Sequence, residues 1–181
     1  MRLFSSPSEV GAQTGDAAWL RAMLDFEGAL AVALADVGMA DAAVAEAIAA
    51  VCAATRPAVL YGTQDAIKNS GAADAEGALN LDALGAGTAK DGTPVPALLA
   101  QLRPRLSDEA KAILHRGATS QDVVDTAAML VAKRALAPLL VDLDAAGDAA
   151  AALADRHRGD LAAGRTLLQQ ASPITFGLRA A

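Results

Sequence analysis

An all-α fold is what the sequence predicts. About a quarter of the 181 residues are alanine while aromatic residues make up 3%, and alanine loses no side-chain entropy in a helix but packs poorly on a pleated sheet. Apolar residues also recur at three- and four-residue spacing over long stretches, which is the period of a helix face. Polar capping residues and prolines divide those stretches at helix-like intervals.

The elements follow in order. Over residues 16–37, Leu20, Met23, Leu24, Leu30, Leu34 and Val37 form an apolar stripe with Arg21, Asp25 and Asp36 off it, predicting an amphipathic helix. Gly38 supplies a left-handed cap, and Asp41 opens a second helix through Val44, Ile48, Val51 and Cys52 that Pro57 ends. Over residues 61–91 glycine is frequent (Gly62, Gly71, Gly77, Gly85, Gly87) and periodicity fades, which predicts loops between short helices. Pro94 and Pro96 fit the first turn of a helix to about Leu102, and Pro104 stops it. Ser107, followed by Asp108 and Glu109, caps a short helix to about Leu114. Val124, Ala127, Val131, Ala135, Leu139 and Leu143 then predict one long helix from about Ser120 to Arg156, kinked at Pro138. A loop follows over 159–164, and Ser172-Pro173 reads as the cap and first position of a last helix.

The charge balance narrows the function classes. Fifteen basic against 21 acidic residues give a formal charge of −6, which argues against a general nucleic-acid or anionic-membrane surface. No uncharged run is long enough to span a membrane, and Met1 to Ser6 show no export signal, so a cytoplasmic protein is expected. The lone Cys52, among Val51, Ala53 and Ala54, reads as a small buried apolar residue. His115 and His157 are far apart and no Cys or His pair has ligand spacing, so no metal site is expected. The glycines at 11 and 15 and at 85 and 87 lack the preceding strand of a phosphate loop. Ser120, His115 and Asp122 lack the strand-turn-helix elbow of a hydrolase.

Two segments concentrate polar chemistry. His115-Arg116-Gly117-Ala118-Thr119-Ser120-Gln121-Asp122-Val123-Val124-Asp125-Thr126 places hydroxyls, an amide and carboxylates at a helix start. Thr119 with Asp122 makes an ordinary capping pair there, while free N–H groups flanked by hydroxyls and cations make an anion site for a small organic acid. Gly164-Arg165-Thr166-Leu167-Leu168-Gln169-Gln170-Ala171-Ser172-Pro173-Ile174-Thr175-Phe176-Gly177 is the second segment. It reads either as a capped loop between helices or as a site in which Arg165 holds a carboxylate bidentately.

Together the two segments resemble the first and second signature regions of the fumarase/aspartase superfamily, in the branch containing adenylosuccinate lyase and bacterial 3-carboxy-cis,cis-muconate cycloisomerase. The stretch from Asp16 through Glu27 to Ala31 is similar to the opening of that branch. The resemblance implies a helical N-terminal domain over 1–119 and, over 120–181, the first part of a long central helical bundle. Adenylosuccinate lyases carry an acid-base histidine after Arg-Thr, where this chain has Leu167, and a second histidine that aligns roughly with Thr93. The cycloisomerase pattern is closer. It implies interconversion of 3-carboxy-cis,cis-muconate and 4-carboxymuconolactone in protocatechuate breakdown by the beta-ketoadipate route, with no cofactor.

The resemblance assigns substrate-binding roles to Thr119, Ser120 and Gln121 at the helix start and to Arg165, Thr166 and Gln169 in the second segment. His115 matches a pocket histidine that orients substrate or moves a proton, although a structural role fits its residue type equally. His157 reads as a surface or dipole-facing residue. Family subunits form homotetramers whose active sites combine three signature regions from three subunits. The third, a Gly-Ser-Ser-x-Met-Pro-x-Lys-type loop with the catalytic serine base, is not among these 181 residues. The chain is therefore expected to be an N-terminal portion, inactive alone, with apolar faces along Val124, Val131 and Leu139 left exposed. An adenylosuccinate lyase-like enzyme or a non-catalytic helical assembly module are the alternatives.

Overall fold

The computed structural model describes residues 9–55 and 78–181, in two compact units that divide after Arg134. The first unit is helical among its described residues. A short helix α1 (Glu9–Thr14) precedes α2 (Asp16–Asp36) and α3 (Ala42–Ala54). The predicted cap of α2 is a full Schellman motif: Gly38 has φ +74°, its N–H donates to the Ala35 carbonyl at 2.9 Å, and the Met39 N–H donates to the Leu34 carbonyl at 2.8 Å. Asp41 caps α3 by accepting the Ala43 N–H at 2.8 Å. The expected stop at Pro57, the glycines at 62, 71 and 77, and the reading of Met1 to Ser6 lie outside the described residues.

Of the short helices expected over residues 61–91, the described part holds one, α4 (Leu81–Asp91). Gly85 and Gly87 obscure its period, yet Asn80 caps it by accepting the Ala83 N–H at 2.9 Å and Gly92, at φ +72°, closes it. Asn80 is itself held by a reciprocal pair of bonds with the Gln101 amide, 2.7 and 3.0 Å, which ties the start of α4 to α5 (Val95–Leu102). A 3-10 turn (Arg103–Arg105) ends α5 at Pro104. Ser107 then caps α6 (Asp108–Ile113) through the Ala110 N–H.

Helix α7 (Ser120–Arg156) passes through Pro138 and supplies residues to both units. The core of the first unit gathers Leu20, Met23, Leu24 and Ala31 of α2 and Ile48 and Cys52 of α3. Val95, Leu98 and Leu102 of α5 join them, with Val123, Ala127 and Val131 of α7. Val131 is 6% exposed, so the expectation of an exposed face there is corrected; the described core covers it. Further along, Leu139 is 37% and Leu143 56% exposed. Arg21 donates to the carbonyls of Cys52 at 2.9 Å and Thr55 at 3.2 Å, satisfying acceptors that α3 leaves unpaired at its end. Asp25 accepts from both Arg21 at 2.8 Å and Arg134 at 2.6 Å, linking α2 to α7.

The second unit comprises residues 135–181. After α7 come four two-residue strands: β1 (Leu161–Ala162), β2 (Arg165–Thr166), β3 (Gln169–Gln170) and β4 (Ile174–Thr175), then α8 (Phe176–Ala180). β1 pairs antiparallel with β4, and β2 with β3. The expected loop over 159–164 thus contributes a strand, and the last helix begins later than expected. Thr175, not Ser172, caps it, accepting the Leu178 N–H at 3.1 Å, because residues 174–175 are drawn into the pairing with β1. Two glycines of this unit are required by close approach. A Cβ at Gly164 would collide with the Ser172 carbonyl oxygen, and one at Gly177 with the Ala154 carbonyl and the Arg158 backbone.

Burial predicts where the first unit resists truncation. Ile48 is fully buried, so Ile48→Ala should cost about 2–5 kcal/mol in urea unfolding. Leu140, 53% exposed, should change stability by less than about 0.5 kcal/mol on replacement by alanine. Equal losses at the two sites would contradict this account of the core.

Candidate functional site

The backbone between α6 and α7 turns sharply, and the residue at the turn is a histidine. His115 has φ +64° and Gly117 φ +80°. Glycine adopts that region freely, whereas a histidine there carries strain of order 1–3 kcal/mol and needs its surroundings to hold it. The holding contact is long-range: His115 Nδ1 lies 2.7 Å from Glu27 Oε1. Arg116 reinforces the turn by donating to the Met39 carbonyl at 3.3 Å.

Glu27 is the residue that sequence reasoning left without a role. It falls in step with Leu20, Leu24, Ala31 and Leu34 on the buried stripe of α2, and its side chain has no exposed surface. A carboxylate at a core position of an apolar stripe was the available signal, since buried charges demand partners. Desolvation pushes the Glu27 carboxyl above the ordinary glutamate range, while the bond to His115 and the charge on that ring pull it back down. Among the described residues, Glu27 Oε2 and Thr93 Oγ1 are buried without a hydrogen-bond partner. Cys52 is buried as expected, and its thiol is pushed up to about 11 by desolvation and then by the Glu27 charge.

At the start of α7 the capping pair is formed. Thr119 donates its N–H at 2.8 Å and its hydroxyl at 3.1 Å to Asp122 Oδ2, and the Asp122 N–H donates back to Thr119 Oγ1 at 3.4 Å. Those bonds from Thr119 hold the Asp122 carboxyl below the usual range. Gln121 donates to Asp125 Oδ1 at 2.7 Å. Ser120 is half-buried, and its hydroxyl has no hydrogen-bond partner among the described residues. His115, Thr119, Ser120 and Gln121 therefore occupy one turn and the helix start that follows it.

Arg165, Thr166 and Gln169 lie in the second unit on the β2-β3 hairpin, all exposed. Thr166 is opposite Gln169 and Arg165 opposite Gln170, so the pleat puts Thr166 and Gln169 on one face and Arg165 on the other. Leu167 and Leu168 form the tip, 87% and 97% exposed, with Leu168 at φ +59°. His157 is more than a surface residue. Its Nδ1 lies 2.7 Å from Asp160 Oδ2 and its ring meets Phe176 edge-on with centroids 5.0 Å apart, while the Gly177 N–H donates to its carbonyl at 2.9 Å.

No cluster of three His, Cys, Asp or Glu side chains suited to a metal occurs among the described residues. The groove between α2 and α3, lined by Ala29, Val32, Ala49 and Ala53, holds no residue of either motif. Among the described residues no helix is long and apolar enough to cross a membrane.

Residues 8–181 match the protein family described as Lyase. The chain belongs to that family. Its relatives include nitrosuccinate lyase of Streptomyces davaonensis, 38% identical over 175 residues that are 95% of this chain and 32% of that protein. The 3-carboxy-cis,cis-muconate cycloisomerase of Bradyrhizobium diazoefficiens is 38% identical over 176 residues, 97% of this chain and 35% of that protein. The crystal structure of 3-carboxy-cis,cis-muconate lactonizing enzyme from Pseudomonas putida matches 98% of this chain and 36% of its own with a TM-score of 0.79 at 30% identity. The lyase-family chain thus spans about a third of the length of the curated relatives it matches. The fumarase/aspartase superfamily and its helical architecture, read from two motifs, are those of its relatives.

The raised Glu27 carboxyl fixes the sign of a pH effect. A group whose folded value exceeds its unfolded one contributes stability that is present below the unfolded value and lost as pH rises through the folded one. Urea unfolding of the wild type and of Glu27→Gln, from about pH 4 upward to about pH 7, should show the wild type losing stability relative to the variant. A relative gain for the wild type would contradict burial as the dominant influence on Glu27.

Proposed function

We propose that this chain supplies part of the substrate pocket of a cycloisomerase that interconverts 3-carboxy-cis,cis-muconate and 4-carboxymuconolactone. The observation that carries the reading is Leu167. At the position after Arg165-Thr166 where the adenylosuccinate lyases carry an acid-base histidine, this chain has a side chain with no proton to move. Strong likeness to a cycloisomerase over 97% of the chain supports it. In the reaction a substrate carboxyl oxygen bonds to one carbon of a double bond and gives up its proton while a proton is added at the neighbouring carbon, so counted from the acid form no atom is gained or lost. Negative charge builds on another carboxylate in the transition state, and fixed donors stabilise such charge without a cofactor.

In this reading Ser120 and the free N–H groups of the first turn of α7 bind one carboxylate, with Thr119 and Gln121 shaping that end of the helix. Arg165, Thr166 and Gln169 offer donors for a second carboxylate, and His115 faces the substrate. Residues 1–119 act as a helical domain and 120–181 as the start of a central bundle. The whole protein works as a cytoplasmic homotetramer in protocatechuate breakdown, with small polycarboxylates as its partners and neither nucleic acid nor membrane among them. A second reading, a lyase acting on nitrosuccinate, is favoured by the 38% identity to nitrosuccinate lyase over 95% of the chain.

Expressing the complete reading frame that carries this sequence, beside the 181-residue chain, separates the readings. Loss of the diene absorbance of 3-carboxy-cis,cis-muconate with the longer product only is the expected result. A folded longer product that leaves the diene intact and consumes nitrosuccinate would replace the first reading by the second.

A further inference from the structure

The Glu27–His115 contact has a property that neither residue has alone. At 2.7 Å, Oε1 and Nδ1 need one proton between them, because two lone pairs facing each other at that distance inside a buried site repel. With the carboxyl ionised the proton is on Nδ1, and with the carboxyl protonated it is on Oε1 and points at Nδ1. Either way the contact keeps its proton, and the remaining proton of the pair can be gained or lost at Nε2 alone. Nε2 makes no hydrogen bond among the described residues, and the ring side chain is 16% exposed.

We propose that Glu27 is a positioning residue for His115: it locks the ring across the turn before α7 and confines the exchangeable proton of the pair to Nε2. With the carboxyl ionised, the neutral ring then carries hydrogen on Nδ1 and presents a bare Nε2, the reverse of the tautomer that a free imidazole prefers. Two features beyond the bond support this. His115 holds a left-handed φ of +64° that a histidine adopts only when its surroundings fix it. Glu27 is wholly buried with Oε2 unpartnered among the described residues, so no donor there draws its carboxylate away from the ring. The other titratable groups facing the pair are Cys52 on α3, whose thiol the Glu27 charge raises, and Asp122 on α7, which the His115 charge lowers. Neither is hydrogen-bonded to the ring, so neither chooses the tautomer. The chemical consequence deepens the cycloisomerase reading and rests on it: a bare Nε2 accepts a proton from a bound polycarboxylate, or returns it, without disturbing the Nδ1 bond that aims the ring.

Nitrogen-15 NMR of the imidazole nitrogens in the 181-residue chain tests the claim without substrate. At a pH high enough that the pair holds a single proton, the wild type should show His115 Nδ1 protonated and Nε2 bare. In Glu27→Leu, with a helical circular dichroism spectrum unchanged, the pattern should reverse to Nε2 protonated. A wild type that at this pH has a bare Nδ1 and a protonated Nε2 overturns the proposal by itself, whatever the variant does. A folded Glu27→Leu chain that keeps the wild-type pattern overturns it equally, since another group would then be setting the tautomer. Because no substrate is involved, the expected tautomer together with an intact diene would sink the cycloisomerase reading and leave the positioning role standing.

Discussion

A single buried contact, Glu27 with His115, joins the second helix of the first unit to the turn from which the long helix starts. Its two constraints explain each other. A carboxyl with no exposed surface requires a partner, and a histidine at positive φ requires something to hold it. The turn so fixed sets the position from which Thr119 and Asp122 cap α7.

The apolar packing around that contact was largely legible in the sequence. Leu20, Met23, Leu24 and Leu34 announced their helix by period, and Gly38, Asp41, Ser107 and Thr119 announced ends and starts through local bonds that depend only on near neighbours. What depends on distant neighbours was not legible. The 88-residue separation between Glu27 and His115 gives no local pattern, although a glutamate in step with Leu24 and Ala31 was a visible irregularity. The bounds of α4, within a stretch read as loops between short helices, were not legible because Gly85 and Gly87 dilute its period, while its caps, Asn80 and Gly92, were ordinary. In the second unit, β1 and β4 pair across the whole intervening β2-β3 hairpin, and that pairing moved the cap of the last helix from Ser172 to Thr175.

The second motif shows how little of a site is carried by conspicuous residues. Arg165, Thr166 and Gln169 attract attention by their chemistry, yet the hairpin distributes them over two faces. The glycines at the two ends of the motif have the clearest structural duty, since a side chain at Gly164 or Gly177 would meet backbone atoms. Leu167 and Leu168 form the exposed tip between the two strands, with Leu168 in the left-handed region.

Whether α2 and the start of α7 depend on each other energetically is settled most directly by a double-mutant cycle. Glu27→Leu, His115→Asn and the pair would be compared in urea unfolding, asparagine being chosen because it tolerates the left-handed backbone. The account predicts a stabilising coupling of about 0.5–3 kcal/mol between the two positions. Additivity within about 0.3 kcal/mol would contradict it.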